Sequence, residues 1–440
     1  MAPSHKPDDT PQAPGSVPGA HMRSRPLLRL FAVLAVELIG FGMVIPVLPY
    51  LCADYGGDAL MLGLLFGVQF LGQFVMAPVW GALSDRFGRR RIMIATLLAA
   101  AVASLLTALV AALPVLIPQG MIRPGLWVGD VVMPALFLVR LLAGVAAGNV
   151  STASAYVADV TDAKTRSKGM AVIGISFAVG FTIGPGVGGI LSGDYGVGVP
   201  FFAAVLISAL NALMAVVLLD EPLADRAVRQ EARGEQRSRY DMRNVLGVLK
   251  DQQTRTICAV NLMYTVAITF LEAPFTYYMK DVFEAGPRQV GYIMAGLGIV
   301  VALFQGGAVG RISARVGDRK MTMGGLVILA IGLLLAPLWA NLTWLLVVLL
   351  GASIGRAFAQ PGLLSLASRS GKAEETGKRL GVYQSAASLG RIVGPAIGGA
   401  VYAFVGVGAP FVLACALLLA AVVYWSRRPA PAKAAAPAQG

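Results

Sequence analysis

Cysteine, histidine and charged residues are all scarce in this sequence. The three cysteines, Cys52, Cys258 and Cys415, stand alone in separate segments, which argues against a disulfide framework or a cysteine metal site. Both histidines, His5 and His21, lie in the polar N-terminal tail, so we expect no histidine base and no histidine-bound metal in the apolar body. A GxxxxGK[ST] loop is missing, which excludes a pump driven by ATP through its own P-loop. We therefore expect no enzyme, no catalytic residues, no metal and no cofactor.

Apolar residues dominate instead. Of 440 residues, 57% are hydrophobic and only 13% are charged, with a mean hydropathy of +0.72. Soluble domains carry about 25% charged residues. Long uncharged apolar runs need a lipid environment, so the composition predicts a polytopic membrane protein.

Twelve apolar runs are long enough to be membrane-spanning helices of about 20 residues. They are predicted at 27–51, 60–83, 92–113, 132–156, 169–192, 200–219, 255–279, 289–310, 321–340, 342–366, 380–403 and 409–426. The predicted domain organisation is a disordered tail (1–25), a six-helix half (26–219), a linker (220–254), a second six-helix half (255–426) and a disordered tail (427–440).

The net charge of +13 reflects where Lys and Arg lie along the chain. Thirty of the 36 fall in the two tails and the loops on one side, and only three fall in loops on the other side. This asymmetry fits the positive-inside rule with both termini cytoplasmic. It also explains the basic balance through anionic lipid rather than nucleic acid.

The two halves resemble each other. GISFAVGFTIGPGVGG (174–189) and YQSAASLGRIVGPAIGG (383–399) both hold a Gly-Pro pair followed by a Gly-Gly pair. GALSDRFGRRR (81–91) is echoed by GRISARVGDRK (310–320), in which Ala314 replaces the acidic residue. Two similar six-helix halves are typical of secondary transporters, whose substrate site lies between the halves near the middle of the membrane.

These motifs resemble the major facilitator superfamily. GALSDRFGRRR is similar to its loop 2–3 signature, RLLAGVAAG (140–148) to its fourth-helix signature, and GFTIGPGVGG to the fifth-helix motif of twelve-helix drug:proton antiporters. ELIGFGMVIPVLP (37–49) resembles the first-helix signature of the same subgroup. Together with the pattern QGGAVG…GRIVGPAIGG in spans eight to eleven, these motifs are most similar to the tetracycline-efflux-like branch. The chain departs from that branch because Glu37 replaces an Asp, the third and ninth spans lack a carboxylate, and the eighth lacks a histidine.

Beyond the first turn of the predicted spans, five charged residues lie inside them: Glu37, Arg140, Glu272, Arg356 and Arg391. A carboxylate at such depth is costly unless it is protonated or paired, so intramembrane acids indicate a function. We interpret Glu37 and Glu272 as proton carriers or counter-ions for a substrate. The resemblance implies that spans one, four, seven and ten line the cavity, so that each half supplies one acid and one arginine. The alternative is a static ion pair or a packing role.

The resemblance also implies a cytoplasmic charge network that holds the outward-facing state. Asp85 is expected to cap a helix end of the second half, and Arg86 or Arg90 to pair with Asp159. The arginines could alternatively be topology signals alone. The predicted network comprises Gly81, Asp85, Arg86, Gly88, Arg89, Arg90 and Asp159.

Small residues in the fifth span let helices approach closely, and proline bends the backbone. We interpret this antiporter motif as a hinge and a seal between the halves, with plain close packing as the alternative. It comprises Gly180, Gly184, Pro185, Gly188 and Gly189.

The resemblance thus predicts a monomeric, proton-coupled antiporter that exports small amphiphilic drugs and lies in a bacterial inner membrane. Its expected partners are a small-molecule substrate, protons and membrane lipid. A sugar, siderophore or peptide transporter of the same fold is the main alternative. A receptor, scaffold or embedded enzyme on this fold is more remote, because fold alone does not establish function.

Overall fold

The computed structural model describes residues 24–116, 128–161, 166–222, 247–370 and 376–428. Most of the predicted tails (1–25 and 427–440) and of the predicted linker (220–254) lies outside the described residues.

Helices make up both halves, and the described part of the chain contains no strand. The first half contains α1 Ser24–Val44, α2 Leu48–Asp54, α3 Ala59–Phe87, α4 Arg89–Leu116, α5 Val128–Ala146, α6 Asn149–Val160, α7 Arg166–Tyr195 and α8 Val199–Leu218. The second half contains α9 Gln252–Thr269, α10 Glu272–Phe283, α11 Pro287–Gly307, α12 Val309–Val316, α13 Asp318–Leu335, α14 Leu342–Arg369, α15 Thr376–Phe404 and α16 Ala409–Ser426.

Eleven spans in the described residues are long and apolar enough to cross a membrane, which confirms the predicted all-helical membrane fold. The predicted span at 380–403 is not among them. It corresponds to α15, which has 29 residues, ample for crossing, but is rich in Gly and Ser and carries Arg391. Its length supports a twelfth crossing, although its composition is less apolar than that of the others.

The first span of each half is broken into two helices. The break between α1 and α2 holds Pro46, which lacks the N–H that would continue the helical hydrogen bonds. The break between α9 and α10 falls at Phe270 and Leu271, and Pro274 lies in the first turn of α10. The outer part of each first span is therefore a separate short helix.

The halves meet at the end of the molecule that holds residues 55–58 and 284–287, which we call the outer end. There α3 packs against α15 and α7 against α11. A Cβ on Gly63 would overlap the backbone of Pro395, and a Cβ on Gly291 would come within 2.6 Å of the Pro185 carbonyl oxygen. The same contact is thus made twice, once in each direction between the halves.

The opposite, inner end holds residues 84–91 and 311–320, which the charge pattern predicts to be cytoplasmic. In the part of the chain that the structure describes, the main contacts at this end join elements of one half: α3 with α4 and α6, and α13 with α14 and α16. Among the described residues, the halves therefore meet at the outer end and are apart at the inner end.

Candidate functional site

The second half gathers three of the five intramembrane charges. Glu272 begins α10, Arg356 lies in the middle of α14, and Arg391 lies in α15. Both arginines interact electrostatically with Glu272 and with each other. The predicted acid and arginine of this half are therefore brought together, with a second arginine beside them.

Two features of the fold position Glu272. As the first residue of α10 it lies where the partial positive charge of a helix N-terminus favours a carboxylate. The break before α10 also leaves that N-terminus open at mid-span rather than at a membrane surface. Glu272 and Arg391 are partly exposed and Arg356 is exposed, so all three reach the gap between the halves.

Two buried tyrosines flank this cluster. Tyr264 of α9 interacts electrostatically with Arg356, and Tyr383 of α15 does so with Arg391. Asn261 fixes this part of α15 by donating its amide to the Tyr383 carbonyl oxygen at 3.0 Å. This hydrogen bond joins α9 to α15 beside the two arginines.

The first half is built differently. Arg140 is buried, and it donates to the Thr107 hydroxyl at 2.7 Å and the Gln69 amide oxygen at 3.4 Å, while its Nε is buried without a hydrogen-bond partner. Among the described residues, its hydrogen-bond partners are thus a hydroxyl and an amide rather than an acid. Glu37 lies within α1, eight residues before the helix break, whereas Glu272 lies at the break. The two acids occupy equivalent spans but different depths.

The inner loop signature forms a network within the first half. Arg89, which begins α4 and is almost fully buried, donates to Asp159 at 2.8 Å, to Asp85 at 2.6 Å and to Ser84 at 2.5 Å. The prediction that Arg86 or Arg90 pairs with Asp159 is therefore wrong. Helix α4 starts one residue after Gly88, and this start turns Arg89 inward.

The neighbouring arginines have other contacts. Arg86 is exposed and stacks over the Phe87 ring at 5.2 Å, and Arg90 donates to the Val216 carbonyl oxygen at 2.6 Å. Gly88 adopts a φ of 108°, a conformation that favours glycine, as the predicted tight turn requires. Gly81 accepts from the Ser84 hydroxyl at 2.8 Å.

Within the described residues, Asp85 pairs with Arg89 of its own half at 2.6 Å. That it caps a helix of the second half stays a prediction, because residues 371–375, which precede α15, lie outside the described residues. Sequence reasoning also missed Glu221, which accepts from the backbone N–H groups of Arg89 and Arg90 at 2.9 and 3.1 Å and so caps α4. Its position directly after the apolar sixth span was the available signal.

The second half has an equivalent cluster at its inner end, in which an acid takes the place of Arg89. Asp318 begins α13 where Arg89 begins α4, and it accepts from Ser313 and, at 2.5 Å, from Ser365. Arg369, at the inner end of α14, lies 3.6 Å from the same carboxylate. Sequence comparison found that Ala314 replaces the acid of the first-half loop, but not that Asp318 supplies one four residues later.

The antiporter motif serves two contacts. Gly180, Gly184 and Gly188 pack directly on the backbone of α1 within the first half. Gly189 and the Pro185 carbonyl oxygen face the other half, where a Cβ on Gly189 would lie 2.7 Å from the Gly291 Cα. Helix α7 continues through Pro185. The residues that face α1 thus form tight packing within one half, and Gly189 contributes to the seal between halves.

Hydrogen bonds and an ion pair close the outer end. Tyr50 of α2 donates to the Ala285 carbonyl oxygen at 2.6 Å, and Tyr277 of α10 donates to the Gly57 carbonyl oxygen at 2.7 Å. Arg288 pairs with Asp194 at 2.8 Å on the surface. Sequence analysis singled out none of these.

Known proteins resemble this chain over most of its length. The family model described as Major Facilitator Superfamily matches residues 30–279 and 257–440. The class C tetracycline resistance protein of Escherichia coli is 29% identical over 86% of this chain and 89% of its own length. Multidrug resistance protein 2 of Bacillus subtilis is 25% identical over 85% and 88%. The crystal structure of the human organic anion transporter MFSD10 (TETRAN) aligns with a TM-score of 0.65, 24% identity and coverage of 91% and 99%.

Proposed function

The chain belongs to the Major Facilitator Superfamily, and we propose that it is a proton-coupled antiporter that exports small amphiphilic compounds. Family and fold make it a multi-pass membrane transporter. The finer proposal is supported by relatives that bear the names of tetracycline and multidrug resistance proteins.

One observation carries the proton coupling: Glu272 lies at a helix N-terminus within the membrane, reaches the open gap, and has Arg356 and Arg391 as its charged neighbours. A carboxylate that is reached from one side at a time can take up a proton there and release it on the other side. The nearby guanidinium groups assist release because they favour the ionised form.

The energy is sufficient for export. One proton that moves down about 150 mV supplies about 3.5 kcal/mol at about 2.3 kcal/mol per 100 mV. At about 1.4 kcal/mol per decade, this sustains a substrate gradient of roughly 300-fold.

The location and assembly belong to the same proposal. We place the protein in a bacterial inner membrane with both termini cytoplasmic, as a monomer in contact with lipid, since the charge asymmetry of the loops orients it that way.

The test is a resistance assay in a bacterium that lacks its own efflux pumps. Wild type should protect against part of a panel of antibiotics, dyes and biocides, and Glu272→Gln should remove that protection at equal membrane expression. Glu284→Gln makes the same chemical change at the outer end, outside the spans, and should keep it.

Proton coupling is then measured directly in proteoliposomes. An imposed pH gradient should concentrate a protecting compound with wild type but not with Glu272→Gln. If Glu37→Gln and Glu272→Gln both still concentrated the compound, neither carboxylate would be needed for proton coupling. Equilibration without concentration by wild type would indicate an uncoupled metabolite facilitator.

A further inference from the structure

The intramembrane charges do not balance. Away from the ends of the eleven candidate spans and of α15, the described residues include five charged ones, three arginines and two glutamates. With both acids ionised the spans keep a net charge of one positive unit, and protonation of either acid raises it. The net positive charge of these residues would therefore repel a substrate that carries only positive charge.

The surplus charge is in the second half, where two guanidinium groups share the single carboxylate of Glu272. Among the residues that the structure describes, neither Arg356 nor Arg391 lies within the 4.0 Å of a direct ion pair with Glu272. The three groups interact electrostatically without a direct ion pair. The two guanidinium groups are therefore not neutralised by contact with Glu272 and can bind a further acidic group.

Arg356 and Arg391 are also accessible to a ligand. Arg356 is exposed and interacts electrostatically with Tyr264, and Arg391 is partly exposed beside Tyr383. Planar guanidinium groups bind carboxylates through paired, charge-assisted hydrogen bonds. Glu272, one helix away, offers the opposite charge to the same space.

We propose that the substrates are amphoteric amphiphiles, whose acidic group binds to Arg356 and Arg391 and whose basic group faces Glu272. This inference rests on the proposed transport function and names its substrate class. It preserves proton exchange, because the basic group and the proton compete for one carboxylate. A simple anion would instead favour protonation of Glu272 and would bind together with the proton.

Rhodamine B and its ethyl ester are suitable probes, because both carry the cationic xanthylium ring and only rhodamine B has a free carboxylate. Their binding to the purified full chain in detergent is measured by fluorescence anisotropy. Rhodamine B should bind at least about tenfold more tightly than the ester, as expected for a charge-assisted hydrogen bond. This comparison needs no variant and so cannot fail through misfolding.

Variants then locate the effect. Arg356→Gln and Arg391→Gln should each weaken rhodamine B about tenfold and leave the ester unchanged or tighter. Arg427→Gln removes the same charge from the exposed inner surface and should alter neither. Glu272→Gln should weaken rhodamine B, because the xanthylium ring loses its counter-charge.

Several results would overturn the proposal. These are tighter binding of the ester in wild type, no effect of either cavity arginine on rhodamine B, or tighter rhodamine B binding in Glu272→Gln, which would indicate a simple anion site. Proton-driven transport of the ester but not of rhodamine B would uphold the proposed function while refuting this inference.

Discussion

Tyr50 and Tyr277 make the same hydrogen bond in opposite directions. Each lies on the outer helix of its half's first span and donates to a backbone carbonyl oxygen in the loop of the other half. The acceptors, Ala285 and Gly57, each lie two residues before the next long helix, α11 or α3. The outer end is thus closed by a reciprocal pair of tyrosines.

Loss of either hydroxyl should favour opening at the outer end. A typical hydrogen bond contributes about 0.5–1.5 kcal/mol, so Tyr50→Phe or Tyr277→Phe should raise the outward-open population roughly 2- to 10-fold. Cys52, fully buried on α2 at this end, is a native reporter, and its labelling by a membrane-impermeant maleimide from outside should accelerate accordingly.

Two controls accompany that measurement. Tyr195→Phe alters an exposed tyrosine near the outer end and should leave the labelling rate unchanged. Cys52→Ser should abolish the signal. Equal labelling rates in wild type, Tyr50→Phe and Tyr277→Phe would show that the tyrosines do not hold the outer end closed.

The glycine contacts of the outer seal should tolerate no side chain. Gly189→Ala places a methyl group against the Gly291 backbone, and Gly399→Ala places one against Ala59. Both should prevent full closure, lower transport at least about tenfold and speed maleimide labelling of Cys52. Gly198→Ala, where a Cβ meets open space, is the matched control and should behave as wild type. Normal transport by Gly189→Ala would contradict the proposed seal.

The ion pair of Arg89 and Asp159 should stabilise the first half. Both side chains are over 90% buried, and removal of one partner of a buried pair costs about 3–5 kcal/mol. Arg89→Gln should therefore lower the melting temperature of the purified protein clearly, whereas Arg91→Gln, at an exposed position, should not.

The cluster around Asp318, in which the acid and the arginine have exchanged places, suggests a charge-reversal experiment in the first half. The double variant Arg89→Asp, Asp159→Arg imitates the arrangement of Asp318 and Arg369 in the second half. It should recover part of the melting temperature that either single variant loses. A double variant no more stable than the singles would mean that the surrounding backbone accepts only one polarity.

The lengths of the apolar runs, the charge asymmetry of the loops and the repeated motifs predicted the helical fold and its two halves. Each of these features can be read from short stretches of the sequence. The two Gly-Pro motifs even predicted equivalent contacts: Gly188 packs on Met43 near the end of α1, and Gly398 packs on Phe270 directly after α9. The choice among three consecutive arginines needed the start of α4, which sequence reasoning does not resolve. The tyrosine contacts depend on how the halves dock, and their acceptors are backbone carbonyl groups that carry no side-chain signal.

The interruptions of the first span in each half have a mechanical consequence. Helices α2 and α10 are short bodies, each joined to its own half at a break and hydrogen-bonded to the other half. The halves can separate at the outer end only when both tyrosine hydrogen bonds break. Neither hydrogen bond can lengthen far while the other is intact. We expect such coupling to make opening concerted, which would keep the membrane sealed against ions while the halves separate.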